Sequence, residues 1–120
     1  VTSLVAVDID AVAIENARLN LHVNLGEEHV SQRVILQQGS AKDAGDEPFD
    51  VIVANIESHI LLPMVPDLLQ RLGKGGCIIF SGLLRREERT FIDGLIESGL
   101  TIDGRWQRDD WFSCRAYVVD

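Results

Sequence analysis

Cysteine, proline, aromatic side chains and basic residues are all scarce in this 120-residue sequence, and each shortage closes off a class of protein. The two cysteines, Cys77 and Cys114, fall in predicted strands and share no metal-ligand spacing. They read as buried free thiols in a reducing compartment, not as a disulfide framework or a zinc site. Eleven Lys and Arg stand against 19 Asp and Glu, a net charge of −8. A nucleic-acid backbone calls for clustered Lys and Arg, so this balance argues against direct nucleic-acid contact. It suits a basic protein partner, and it serves solubility equally well. No apolar run nears the ~20 residues of a membrane span, and the N-terminus lacks the basic and apolar sections of a signal peptide. The expected setting is the cytoplasm, with no membrane partner. The one methionine is Met64, and the chain opens at Val1 already inside a strand-like run. Part of a longer protein is therefore expected to be absent before Val1.

What is present is ordinary for a globular domain, 46% hydrophobic and 25% charged, and residues 1–120 are expected to form one domain with a real core. Ser3 to Val7 is a buried strand ending at Asp8-Ile9-Asp10, with Asp10 as the N-cap of a helix running to about Leu21 or Asn24. In that helix Val12, Ile14, Ala17, Leu21 and Leu25 recur at helical spacing, and Glu15 and Arg18 pair on the exposed side. A polar loop from Asn24 to Ser31, containing Gly26, leads to a second strand, Arg33 to Gln37. Gln38-Gly39-Ser40-Ala41 closes that strand, and a polar loop follows as far as Pro48. The third strand, Asp50 to Ile56, is short and rich in β-branched residues. Beyond it Leu61, Leu62, Val65, Leu68, Leu69 and Leu72 form a helical stripe. Pro63 and Pro66 interrupt the stripe, so a regular helix is expected only from about Pro66.

Leu72-Gly73-Lys74-Gly75-Gly76 is expected to stop that helix in a sharp turn. It follows a helix and precedes a strand, the reverse of a phosphate loop. Cys77 to Ser81 is a fourth strand and Arg85 to Ser98 a helix capped by Gly99, with Phe91, Leu95 and Ile96 turned inward. Arg85, Arg86 and Arg89 with Glu87 and Glu88 read as a solvated helix start. Leu100 to Gln107 and Trp111 to Val119 form an antiparallel hairpin in which Trp106 and Trp111 are expected to face each other. Trp111 has a substrate contact as its alternative. Alternating strands and helices with a closing hairpin predict an α/β fold: a mostly parallel sheet, helices on both faces, and an antiparallel edge.

Sheets of this kind bind ligands outside the carboxyl ends of their strands. Two polar residues close apolar strands there, Asp8 and Asn55. The Asp8 carboxylate offers two acceptor oxygens for the paired hydroxyls of a ribose. Ser40 and Ala41 would lie beside a base at the same edge, and Ile9 could give that base an apolar face. The competing reading is that Asp8 and Asp10 only cap the following helix. His22, His29 and His59 have no ligand spacing. His59, with Glu57 and Ser58, could line a substrate entrance past Asn55.

The order VAVDIDAVAIENARLN, FDVIVANI, LGKGGCIIFSGLL resembles the class I methyltransferases that use S-adenosylmethionine. ANI after the third strand, SGLL after the fourth and the closing Asp110-Trp111 resemble one family within that class. It is the family that methylates the stalk-base protein, number eleven, of the bacterial large ribosomal subunit (PrmA-like). The resemblance runs from Ser3 to about Ala116 and implies a Rossmann-like methyltransferase sheet lacking its first strand and glycine-rich loop. In such a fold the absent strand lies in mid-sheet, between the strands ending at Asp8 and Asn55. The resemblance implies S-adenosylmethionine as cofactor, Asp8 on its ribose, Asn55 at the methyl-transfer site, and Ile9, Ser40 and Ala41 around the adenosine. The implied reaction is methyl transfer to lysine or N-terminal amines of a ribosomal protein, with the isolated 120 residues binding the cofactor poorly or not at all.

Departures qualify the resemblance: the glycine-rich loop with its strand and helix would precede Val1, and the N-terminal domain by which the family usually recognises the ribosomal protein has no room in these 120 residues. The wider class often continues the residue matching Asn55 as Asn-Pro-Pro-aromatic, which grips a planar amine. Here Ile56-Glu57-Ser58 follows, which disfavours a nucleobase. Ser40 stands where the class often has an Asp. The alternatives are a non-catalytic scaffold on the same fold and a small-molecule methyltransferase.

Overall fold

The computed structural model describes residues 3–26 and 34–119, and the chain divides into two compact units, residues 1–46 and 47–120. Arg33, the loop residues from 27 to Ser31, and His29 lie outside the described residues.

The first unit comprises β1 (Leu4–Asp8), α1 (Ala11–Leu25), β2 (Val34–Gln38) and a single 3-10 turn (Ala41–Asp43). β1 and β2 run parallel, in register from Leu4 opposite Val34 to Asp8 opposite Gln38. α1 begins where Asp10 Oδ1 accepts the Val12 N–H at 2.9 Å, a cap worth ~1 kcal/mol. It ends at Gly26, where φ is 82° and the N–H returns to the His22 carbonyl at 3.1 Å. Arg18 meets Glu15 at 3.4 Å, as the spacing predicts. The apolar stripe is narrower than its spacing implies. At ~100° per residue Val12 points roughly opposite to Ala17, Leu21 and Leu25, and it is 66% exposed. Only Ile14 in this helix is buried.

The second unit comprises β3 (Phe49–Asn55), α2 (Ser58–Arg71), β4 (Leu72–Leu84), a 3-10 turn (Arg85–Glu87), α3 (Glu88–Glu97), β5 (Thr101–Arg108) and β6 (Trp111–Tyr117). The strand order is β3-β4-β6-β5. β3 is parallel to β4, and the β4–β6 and β5–β6 pairs are antiparallel, so the closing antiparallel hairpin is as the order of elements predicts.

Four expectations fail in this unit. α2 is continuous from Ser58 and carries Pro63 and Pro66 inside it. Both prolines are exposed, while Leu61, Val65 and Leu68 are buried. That burial, ~1.5–3 kcal/mol for each of the three side chains, offsets two interior prolines at ~3 kcal/mol each. The segment Leu72 to Gly76 is not a separate turn but part of β4: between Phe49–Leu72 and Val51–Cys77 the register slips, so five residues of β4 pass two of β3. Gly75, with φ 77°, takes the bend. In α3 the inward residue beside Phe91 and Leu95 is Ile92, and Ile96, which at ~100° per residue lies ~140° round the helix from Phe91, is 55% exposed. Trp106 pairs with Ser113 and Trp111 with Arg108, so the two indoles are not opposite one another.

Alternate residues of β6, Phe112, Cys114 and Ala116, are buried against Ile78 and Phe80 of β4 and the inner face of α3. The Phe91 ring stands edge-on to Phe80 at 5.5 Å and to Phe112 at 6.1 Å. Leu62 of α2 reaches so close to Gly94 of α3 that a β-carbon there would lie 2.8 Å from it. Cys114 is fully buried and Cys77 half-buried, and both are free thiols.

Truncation of Phe91 to Ala should cost ~3–5 kcal/mol in denaturant unfolding, since it empties the centre of this layer. Burial pushes the Cys114 thiol up to about 11. The folded state therefore favours the neutral thiol over the unfolded chain, where it ionises near ~8.5. That contribution is complete below ~8.5 and is lost as pH climbs through the folded value. Denaturation midpoints from pH 8 to 11 should fall more steeply for the wild type than for Cys114→Ala.

Candidate functional site

Asp8, Ile9, Ser40 and Ala41 belong to the first unit, and Asn55 to the second. β1 and β2 end side by side, since Asp8 pairs with Gln38. The Gly39 N–H bonds the Asp8 carbonyl at 2.9 Å, and Gln38 Nε2 reaches the Ile9 carbonyl at 3.3 Å. The chain leaving β2 is thus tied to the chain leaving β1. The first unit brings together all four adenosine-side candidates.

Each has a local job as well. Asp8 Oδ1 accepts the Asp10 N–H at 2.8 Å, while Oδ2 makes no hydrogen bond among the described residues. Ser40 opens the 3-10 turn: its N–H donates to Asp43 Oδ2 at 2.8 Å, and its hydroxyl lies 3.5 Å from the same oxygen. The Asp43 carboxylate occupies the place where a β-carbon of Gly39 would be, so Gly39 permits the turn. Ile9 presents an apolar side chain that is 76% exposed. A carboxylate with one uncommitted oxygen, beside an exposed aliphatic surface and a polar turn, has the donor and acceptor set that a nucleoside needs.

In the second unit Asn55 closes β3 opposite Ser81 of β4. Its side chain is exposed and makes no hydrogen bond among the described residues. The next residue of β4, Gly82, has φ 70°, and Asn55 Oδ1 fills the place its β-carbon would take. Gly82 also lines a cleft of about 310 Å³ with Glu57, His59, Leu84, Glu87 and Trp111. Ser58 Oγ donates to Glu87 Oε2 at 2.5 Å, and His59 Nδ1 lies 3.4 Å from Glu57 Oε2. Glu87 is therefore not part of a solvated helix start, as its sequence context implies. Glu88 accepts from Gln107 Nε2 at 2.9 Å, while Arg85, Arg86 and Arg89 are exposed as expected, Arg85 donating to the Asp109 carbonyl at 3.1 Å. The sequence reading missed Gly82 and Glu87 as members of this site. Neither carried a sequence signal of this role: Gly82 matters through its register with Asn55, and Glu87 through a bond to a residue 29 positions away.

A second cleft, about 300 Å³, lies where β4 begins and includes Cys77, Asp103, Arg115 and Tyr117. Arg115 grips both oxygens of Asp103 at 2.9 and 2.8 Å. That bidentate bond holds the Asp103 carboxyl below its ordinary value and the Arg115 guanidinium above its own. With both partners satisfied, the pair closes on itself. Among the described residues no group of His, Cys, Asp and Glu could hold a metal ion, and no helix is long and apolar enough to cross a membrane.

The family model described as ribosomal protein L11 methyltransferase (PrmA) matches residues 1–118. The chain belongs to this family. It is 37% identical over 106 residues to the ribosomal protein L11 methyltransferase of Anoxybacillus flavithermus, covering 88% of this chain and 33% of that protein. With the protein of the same name in Geobacillus kaustophilus it shares 37% over 109 residues, 91% of this chain and 34% of that one. The chain thus spans about a third of the length of these relatives. Among solved structures, the ribosomal protein L11 methylase of Lactobacillus delbrueckii subsp. bulgaricus superposes with a TM-score of 0.86 at 30% identity. That match covers 97% of this chain and 58% of the other. A tRNA methyltransferase from M. jannaschii superposes at 0.77 with 14% identity, over 98% of this chain and 38% of that one. The latter shows the Rossmann-like methyltransferase fold alone, a fold that serves substrates of different kinds.

Removing the Ser58–Glu87 bond should leave a half-buried hydroxyl unpaired. Glu87→Ala is expected to cost ~1–2 kcal/mol in chemical denaturation. Ser58→Ala should cost about the same, and the double variant no more than either alone.

Proposed function

We propose that this chain is the cofactor-binding and catalytic part of a protein methyltransferase that uses S-adenosylmethionine and acts on lysine or N-terminal amines of ribosomal protein L11. Its two units are parts of one catalytic domain, and the compartment is the cytoplasm. The observation that carries the reading is the Asn55 amide: exposed at the carboxyl end of β3, without a hydrogen-bond partner among the described residues, and lodged against Gly82. A polar group kept there with no structural partner suits a ligand. The names of the relatives supply the substrate.

S-adenosylmethionine would supply a methyl group carried on a sulfonium, ready for in-line displacement. Asp8 would hold the ribose, its uncommitted Oδ2 accepting from a hydroxyl; the exposed Ile9 would back the adenine, and Ser40 with Ala41 would border it. Asn55 acts on the acceptor. Its amide oxygen takes a hydrogen bond from the N–H of the incoming neutral amine and turns the lone pair toward the methyl group. As nitrogen gains positive charge in the transition state, that oxygen stabilises it, the sign-reversed counterpart of an oxyanion hole. Alignment of donor and acceptor and exclusion of water supply the rest of the rate. No protein nucleophile is required. Ile56-Glu57-Ser58 after Asn55 offers no planar aromatic clamp, which supports a flexible aliphatic amine over a nucleobase. The net charge of −8 supports a basic protein substrate.

The test uses the full-length gene product with purified ribosomal protein L11 and a methyl-labelled cofactor. Asn55→Ala should lower kcat by ~100-fold or more with cofactor affinity within ~3-fold. Asp8→Ala should weaken cofactor binding ~10- to 100-fold in calorimetry, the loss of a charge-assisted hydrogen bond. Failure to label ribosomal protein L11 while a small molecule is labelled would remove the proposal.

A further inference from the structure

We propose that Gly82 is the positioning residue for Asn55, and that the geometry of the amide is set by the absence of a side chain on the neighbouring strand. This rests on the reading of Asn55 as the acceptor-orienting group.

Asn55 and Gly82 are held together by the β3–β4 ladder. Val51 to Asn55 pair one for one with Cys77 to Ser81, which leaves Gly82 as the first residue of β4 beyond the paired run. There the strand pairing with β6 also breaks, between Phe80 and Leu83. Gly82 takes φ 70°, a left-handed conformation that a β-carbon disfavours. A β-carbon at this position would lie 1.9 Å from Asn55 Oδ1 and 2.9 Å from its Cγ, while Nδ2 is 3.6 Å away. The amide therefore occupies the space that any other residue at position 82 would fill. No hydrogen bond among the described residues orients the Asn55 side chain, so the flat glycine surface is what locates it. Gly82 is also a wall of the cleft that holds Glu57, Glu87 and Trp111, which makes the same backbone atoms the boundary between the amide and that cleft. Other glycines of β4 do not share this arrangement. Gly75 has nearly the same φ, 77°, but a β-carbon on it would meet nothing within 4 Å.

That contrast supplies the control. Gly75→Ala and Gly82→Ala carry the same backbone strain, and only the second displaces Asn55. In the full-length gene product, Gly75→Ala should lower the melting temperature and leave kcat within ~2-fold of wild type. Gly82→Ala should lower kcat by ~100-fold, the scale of a 1 Å misplacement of a reacting group, with cofactor affinity within ~3-fold. In an Asn55→Ala background the Gly82→Ala change should cost less than ~3-fold further in kcat, because the group it displaces is gone. Multiplicative losses in the double variant would overturn the proposal, as would wild-type kcat in Gly82→Ala. If Gly82→Ala does not fold, the double variant decides. A melting temperature restored to that of Gly75→Ala supports the displacement of Asn55, and a chain still unfolded overturns it. Wild-type kcat in Asn55→Ala alone would instead remove the acceptor role of Asn55, and this proposal with it.

Discussion

The Phe91 ring meets two partners edge-on, Phe80 of β4 and Phe112 of β6, and through them ties α3 to the middle of the four-stranded sheet. Edge-to-face pairs of this kind add directional preference to the area they bury, so they fix where a strand lies as well as holding it down. Phe80 is two residues from Gly82, and Ala54, which pairs with Phe80, adjoins Asn55. Asn55 is therefore one step along the backbone from a buried layer of the second unit. In the proposed methyl transfer, an amide next to a rigid layer would serve the alignment of donor and acceptor.

The two units differ in how they hold their residues. In residues 47–119, three phenylalanines, the α2 stripe and alternate residues of β6 are buried together. Among the described residues of the first unit only Ile14 is buried, and order at the end of β1 comes from polar bonds: Asp8 to the Asp10 N–H, Gly39 to the Asp8 carbonyl, and Ser40 to Asp43. Both sets of candidate residues stand at strand carboxyl ends, yet one is located by packing and the other by turn chemistry.

Features written in neighbouring residues were legible in the sequence. The Asp10 cap, the Glu15–Arg18 pair and the hairpin turn between Gln107 and Trp111 each depend on groups within a few positions, and all were readable from residue type and spacing. What was not legible depends on partners far along the chain. α2 runs through Pro63 and Pro66 because of the surface it buries, which propensity does not register. The slip at Leu72 to Cys77 exists only relative to β3. The offset of Trp106 from Trp111 follows from the register of a whole ladder. Ser58 and Glu87 are 29 residues apart, and nothing local to either announces the other. The candidate site divides the same way. Asp8 and Asn55 drew notice as polar residues ending apolar strands, and Ile9, Ser40 and Ala41 as their neighbours in the turns. Gly82 gains its meaning only from the atom lodged beside it.

The slipped segment of β4 has a consequence for how this part of the protein tolerates change in length. Five residues there span what two span on β3, and the one-for-one ladder resumes only at Cys77. The surplus works as an expansion joint: a residue gained or lost among Gly73, Lys74 and Gly75 would alter the slack and leave the steps from Val51 to Asn55 in place. The glycines that look like punctuation in the sequence act as a buffer for the geometry at its far end.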